Sequence, residues 1–288
     1  ALNVPAVIFQ TAMRFDFAAV VTIGWRVSGL ALIVLTVLAG GGVTAVLAAL
    51  LVSEAAGLSL VYVFARRLVR FRVAVDLAEW RGLLASAAPV GASLLLTAIV
   101  NRIDFVMLER MMSLDAVGLY GAAYRVTNML EKFPLFVMAT LYPIMSQLAA
   151  ADRARLRAVY RKTVVHLAAL GLPLGLIVTA AAPHLLAFLF GEPYREAGGA
   201  LRYLVWATVG LYIALAGGNV LISIGRPRAS LAALIVGAGA NVWLNLVLIP
   251  SRGIEGAAMA TAISFALVLV ITLLAVEHYL RAPAPVAA

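Results

Sequence analysis

Apolar runs long enough to cross a bilayer, separated by short polar punctuation, occupy nearly all of the 288 residues. An α-helix needs about 20 apolar residues to span the hydrocarbon core. Eight stretches meet that length: 17–38, 43–65, 83–108, 116–148, 164–190, 199–223, 229–249 and 256–280. The fourth is too long for one straight crossing. Pro134 and Pro143 are expected to kink it or end it early, because proline lacks the N–H and its ring clashes with the preceding turn. Pro89, Pro173 and Pro183 are expected to bend the third and fifth spans. The pattern predicts an all-α integral membrane protein of about eight transmembrane helices.

Composition agrees. With 64% hydrophobic residues and a mean hydropathy of +1.05, too little polar surface exists to cover a water-soluble globule. The spans consume most of the length, so no room remains for a soluble catalytic domain of about 50 residues or more, and no enzymatic activity is expected. Cysteine is absent, and His166, His184 and His278 lie far apart without ligand spacing, so no metal or other cofactor is expected. The net charge of +9 has a plain source in basic loops, and no nucleic-acid partner is expected.

Those loops set the topology. Arg14, Arg66, Arg67, Arg70, Arg72, Arg81, Arg153, Arg155, Arg157, Arg161, Lys162, Arg226, Arg228 and Arg281 fall on one side, while the opposite loops hold only Arg110, Arg195 and Arg252. By the positive-inside tendency the basic side, with loops 66–82, 149–163 and 224–228 and the C-terminus, is cytoplasmic. The two longer basic loops read as topogenic segments, or as amphipathic stretches on anionic lipid. Residues 281–288 read as a disordered tail.

Polar stripes mark the interior. In the third span Ser93, Thr97, Asn101 and Asp104 share one helical face, with Arg102 about 100° round from Asn101. In the fourth, Tyr120, Tyr124, Asn128 and Glu131 repeat the spacing, flanked by Arg125 and Lys132. A short outer loop near residues 111–115 makes these spans antiparallel neighbours. Arg26 and Glu54 mark the first two spans. An ionised group near the bilayer centre costs roughly 2.5–3.5 kcal/mol, so each should face a partner or a wet cavity. One reading pairs Asp104 with Arg102 or Arg125 as helix fasteners. The other lines a path with guanidinium groups, whose planar fork suits phosphate. Asn241 and Asn245, one turn apart, read as interhelical hydrogen-bond partners, and Arg202 as snorkelling to the interface.

Several of these residues resemble a known family. The run Asn101-Arg102-Ile103-Asp104, then Asp115-Ala-Val-Gly-Leu-Tyr-Gly-Ala-Ala-Tyr-Arg125, resembles the middle of bacterial polysaccharide repeat-unit flippases. Phe133-Pro134, Leu141-Tyr-Pro143, Ala182-Pro183, Phe190-Gly191-Glu-Pro-Tyr194 and Asn245-Leu-Val-Leu-Ile-Pro250 are similar to its continuation. That family lies in the multidrug/oligosaccharidyl-lipid/polysaccharide exporter superfamily. The resemblance implies a MATE-like fold of two six-helix bundles. Residues 83–280 match the complete second bundle, 17–65 the last two helices of the first, and 66–82 the cytoplasmic link. Residues 1–16 match the stub of a preceding helix, so the chain reads as a fragment lacking the first four helices.

The resemblance further implies translocation of undecaprenyl-diphosphate-linked oligosaccharides, for O-antigen or exopolysaccharide, across the bacterial inner membrane by alternating access. Polysaccharide polymerase or export machinery is the implied partner. Arg102 and Arg125, with Arg26, are the candidates for the diphosphate, and Asn101, Tyr124 and Asn128 for the cavity wall. Asp104 and Glu131 are candidates for coupling to H⁺ or Na⁺. Two alternatives stay open: a cation-coupled multidrug or small-solute antiporter of the same fold, against which the arginines beside the acids argue, and a membrane-embedded glycosyltransferase or ligase, which needs clustered outer carboxylates that the sequence lacks.

Overall fold

A computed structural model describes residues 15–68 and 77–281; the side chains of residues 15–22, 64–68, 77–79 and several between 85 and 101 lie outside the described residues, as do the expected stub, link and tail at 1–14, 69–76 and 282–288. The chain is an all-α integral membrane protein. It divides into two compact units, Ala1–Trp80 and Arg81–Ala288.

The first unit is a helical hairpin, α1 (Phe15–Leu38) and α2 (Val43–Leu68), turning at Gly40 in the left-handed region, φ +77°. Glycine lets the two helices approach closely. A Cβ on Gly57 would lie 2.4 Å from the Trp25 ring, and one on Gly29 2.3 Å from Ser53 Oγ. Small residues at such seams replace the hydrophobic drive that lipid cannot supply.

The second unit holds α3 (Leu77–Met111) from Arg81 onward, α4 (Leu114–Leu130), α5 (Lys132–Ala151), α6 (Arg153–Phe190), a short 3₁₀ turn (Glu192–Ala197), α7 (Gly198–Ser223) and α8 (Pro227–Arg281). Helix α8 breaks at Gly253, φ 56°, into limbs 227–252 and 254–281. Counting α4–α5 as one crossing and the limbs as two gives eight crossings among the described residues. Helix α7 is the hub, with fourteen buried residues, and packs against α5, α6 and α8. The limbs of α8 close on one another at Gly237, where a Cβ would come within 2.2 Å of Val268.

The long fourth crossing breaks at Glu131, which ends α4 and precedes α5. Pro134 explains the position: its ring is incompatible with a bond to the carbonyl of Leu130, four residues earlier. Pro143, Pro173 and Pro183 lie inside continuous helices. The basic stretch read as a loop at 149–163 is corrected here, since α6 starts at Arg153. Asp152 caps it, its carboxylate accepting from the N–H of Arg155 at 2.9 Å. Leu156, Tyr160, Thr163 and Leu167 are buried at helical spacing, and beside them Arg153 donates to the Tyr279 carbonyl and Arg157 pairs with Glu277 of α8.

Two apolar cores lie at opposite ends of this unit. One gathers Leu108, Tyr120, Leu201 and Ala257. The other gathers Met145, Leu156, Tyr212 and Val276. Polar side chains collect between them.

Candidate functional site

Asp104 projects from α3 and is 2% exposed. Three elements supply its donors. Tyr120 of α4 donates its hydroxyl to Oδ2 at 2.9 Å, Thr261 of the second limb of α8 donates to Oδ2 at 2.6 Å, and Asn245 of the first limb donates through Nδ2 to Oδ1 at 2.7 Å. Asn241, one turn from Asn245, ties the cage together. Its Oδ1 accepts from Asn245 Nδ2 at 3.1 Å, and its Nδ2 donates to Thr261 Oγ1 at 3.4 Å. All five residues are buried. Asn245 Oδ1 is buried without a hydrogen-bond partner.

The helix periodicity accounts for the assembly. Residues 241 and 245 stack on one face of the first limb, and the turn at Gly253 brings the second limb back beside it. Short donors on a buried carboxylate are charge-assisted bonds, worth about 1.5–3 kcal/mol each. The cage therefore holds an acid without a counter-cation.

Pairing of Asp104 with Arg102 or Arg125 does not occur. Both guanidinium-bearing residues are exposed, and neither joins an ion pair among the described residues. Arg102 instead sits over the Phe105 ring, 5.9 Å from its centroid. Phe105 packs edge-on against Tyr120 and Tyr124 at 5.2 and 5.3 Å. Tyr124 is half-buried, Asn128 exposed, and the Asn101 side chain lies outside the described residues. Arg26, in the first unit, lies 3.9 Å from Glu54 and 5.2 Å from the Trp25 ring centroid.

Glu131 is half-buried at the α4–α5 break. It lines a cavity of about 340 Å³ walled by α5, α7, both limbs of α8 and Leu96 of α3. Asn219, Ser230, Asn241, Ser264 and Thr272 are the other polar groups of that wall, and no Lys or Arg lines it among the described residues. This differs from the cation-lined path expected from the sequence. Arg102 and Arg125 lie on exposed surface, and among the described residues the wall of this cavity is neutral apart from Glu131.

Thr261 escaped the sequence reading, as one hydroxyl in a run of small residues that reads as packing. Nothing in the local sequence marks it, because a threonine can satisfy its hydroxyl on its own helix, as the contact with Ala257 O at 3.1 Å shows. Arg202, expected to snorkel, donates through Nε to the carbonyl of Thr179 at 3.2 Å.

Residues 1–198 match the family described as "Polysaccharide biosynthesis protein". A probable low-salt glycan biosynthesis flippase of Haloferax volcanii is 28% identical over 151 residues, 52% of this chain and 32% of that protein. The fold is similar to the lipid II flippase MurJ in an inward closed conformation, with TM-score 0.75 and 12% identity over 96% of this chain and 59% of that one. It is also similar to an inward-facing multidrug resistance MATE transporter of the MOP superfamily, with TM-score 0.72 and 16% identity over 89% and 63%. The chain spans about a third of the length of the curated relatives it matches.

Proposed function

The chain belongs to the polysaccharide biosynthesis protein family, and from that membership we propose that it serves in flipping undecaprenyl-diphosphate-linked oligosaccharides across a bacterial inner membrane. Movement is by alternating access, as in other repeat-built transporters, with the basic loops and the C-terminus cytoplasmic and polysaccharide polymerase or export machinery receiving the product. The process makes and breaks no covalent bond.

The observation that carries the reading is the division of charge. Arg102 and Arg125 are exposed and uncommitted to carboxylates, which leaves their forks available to the diphosphate. Tyr124 and Asn128, with Asn101, are the candidate cavity residues of the same unit, and Arg26 is a separate diphosphate candidate on the first unit. Asp104 is held apart by neutral donors, which suits it to bind and release a coupling H⁺ or Na⁺ while the arginines hold the anion. The unpartnered Asn245 Oδ1 supports this role. An amide flip turns that oxygen towards Asp104, where it accepts from a protonated carboxyl or coordinates Na⁺. Glu131 is the second coupling candidate.

The test is delivery of lipid-linked glycan to the outer leaflet by cells carrying the intact gene. Arg102→Ala with Arg125→Ala is expected to abolish delivery at normal protein levels, and Asp104→Asn to remove its dependence on the ion gradient. Unchanged export in the double arginine variant sinks the assignment.

A second reading, a cation-coupled small-solute antiporter, draws on the 340 Å³ cavity with its carboxylate and its lack of basic lining. Efflux of a lipophilic cation dye that disappears with Glu131→Gln, without loss of glycan export, favours it.

A further inference from the structure

Resting on the reading of Asp104 as the coupling site, we propose that Glu131 is the relay through which the coupling cation passes between the bundle cavity and Asp104. Glu131 lines two spaces at once. One is the 340 Å³ cavity; the other is a void of about 10 Å³ that it shares with Tyr124, Thr127, Thr208 and Thr261. A space of that size is about one probe sphere, near the minimum that holds a water. The far wall of the void is Thr261, whose hydroxyl reaches Asp104 at 2.6 Å.

A second polar connection runs in parallel. Asn241 lines the large cavity and donates to Thr261 at 3.4 Å. The hydrogen bonds that lead from the cavity wall to Asp104 run from Asn241 through Thr261 and through Asn245. Glu131 is the carboxylate at the start.

The surroundings suit a relay for a cation. From α4, Tyr124 and Thr127 line the void with it. From α7, Thr208 does the same, while the Tyr212 hydroxyl is committed to the Leu130 carbonyl. From α8, Asn241 and Ser264 line the cavity and Thr261 the void, all uncharged. Lys132, the next residue along the chain, is exposed and is the nearby cation whose charge reaches Glu131. A cation crossing an apolar cavity loses hydration, and a carboxylate at the far wall offsets that loss. It holds the ion only transiently, because among the described residues several converging oxygens are found at the Asp104 cage and not at Glu131.

The experiment uses the protein in liposomes, with a step in external Na⁺ in one arm and in pH in the other. The readout is the infrared carboxylate band that Asp104→Asn removes. Glu131→Gln is expected to slow the approach of that band to its end point by about tenfold or more, at unchanged final amplitude. Glu131→Asp, which keeps the charge, is expected to recover most of the rate. A wild-type rate in Glu131→Gln overturns the proposal, because the cation then travels another way. A lost amplitude in Glu131→Gln also overturns it, because Glu131 is then part of the binding site or its support. A wild-type band that answers neither step defeats the coupling role of Asp104 itself, and the relay with it, before any Glu131 variant is compared.

Discussion

The hydroxyl of Tyr212 donates to the backbone carbonyl of Leu130 at 2.7 Å. Leu130 is four residues before Pro134, so its carbonyl has lost its ordinary helical partner. Within a bilayer no bulk water replaces that partner, and the freed group must be satisfied by protein. Tyr212 of the hub helix α7 does so, and fixes the α4–α5 break against the hub beside Glu131. Tyr212→Phe keeps the ring, which stacks with Phe133 at 6.5 Å, and removes only the donor. We expect a loss of about 1–3 kcal/mol in unfolding free energy, seen as a lower midpoint in thermal unfolding in detergent. An unchanged midpoint means that the carbonyl finds another donor.

The same arrangement recurs in α6. Pro183 frees the carbonyl of Thr179, and Arg202 Nε occupies it at 3.2 Å. Restoring the amide with Pro183→Ala gives Thr179 a helical donor and makes Arg202 redundant. Arg202→Ala is therefore expected to cost about 1 kcal/mol in the wild type and close to nothing in Pro183→Ala. A thermal-unfolding double-mutant cycle measures the difference. Equal costs in both backgrounds assign Arg202 to the interface instead.

Gly237 sets the approach of the two limbs of α8. Its missing Cβ would lie 2.2 Å from Val268 Cγ2 and 3.5 Å from the carbonyl of Ser264. Gly237→Ala is expected to force the limbs apart and destabilise by about 1–3 kcal/mol, with Val268→Ala restoring part of the loss by clearing the contact. Because the limbs carry Asn241 and Thr261, the single variant is also expected to weaken the Asp104 cage, visible as altered ion dependence of the thermal midpoint.

Apolar run length gave the spans, since a bilayer imposes it directly. The helical spacing that picked out Asp104 and Tyr120 also located the polar interior, because stripe period is a local property. Other features were less accessible. Asp104 meets Thr261 across 157 positions, and nothing local in either helix selects the other. The sequence reading offered the nearest opposite charge, Arg102 or Arg125, by proximity along neighbouring spans. The fold instead chose neutral donors: a small amide and two hydroxyls fit the buried seam, where a guanidinium would bear its full desolvation cost. Pro134 is expected to kink or end the fourth span, and the break falls just before it, at Glu131. A proline disturbs the carbonyl four residues earlier, so the break precedes the residue that causes it.

Thr261 offers the sharpest test of the cage. Its hydroxyl donates to Asp104 Oδ2 at 2.6 Å and accepts from Asn241 Nδ2 at 3.4 Å. Thr261→Val keeps the volume and the branched shape but removes both roles, leaving Asp104 short of a donor and Asn241 short of an acceptor in a buried site. That is expected to cost about 1.5–3 kcal/mol. Thr261→Ser retains the hydroxyl and is expected to lose less, limited to the missing methyl, about 0.8 kcal/mol. Asp104→Asn removes the charge that makes the bond strong, so Thr261→Val added to Asp104→Asn is expected to cost clearly less than Thr261→Val alone. Thermal unfolding of the four variants closes the cycle. If Thr261→Val costs the same with Asp104 or Asn at position 104, the hydroxyl serves its own helix through the Ala257 carbonyl at 3.1 Å, and the cage is held by Tyr120 and Asn245.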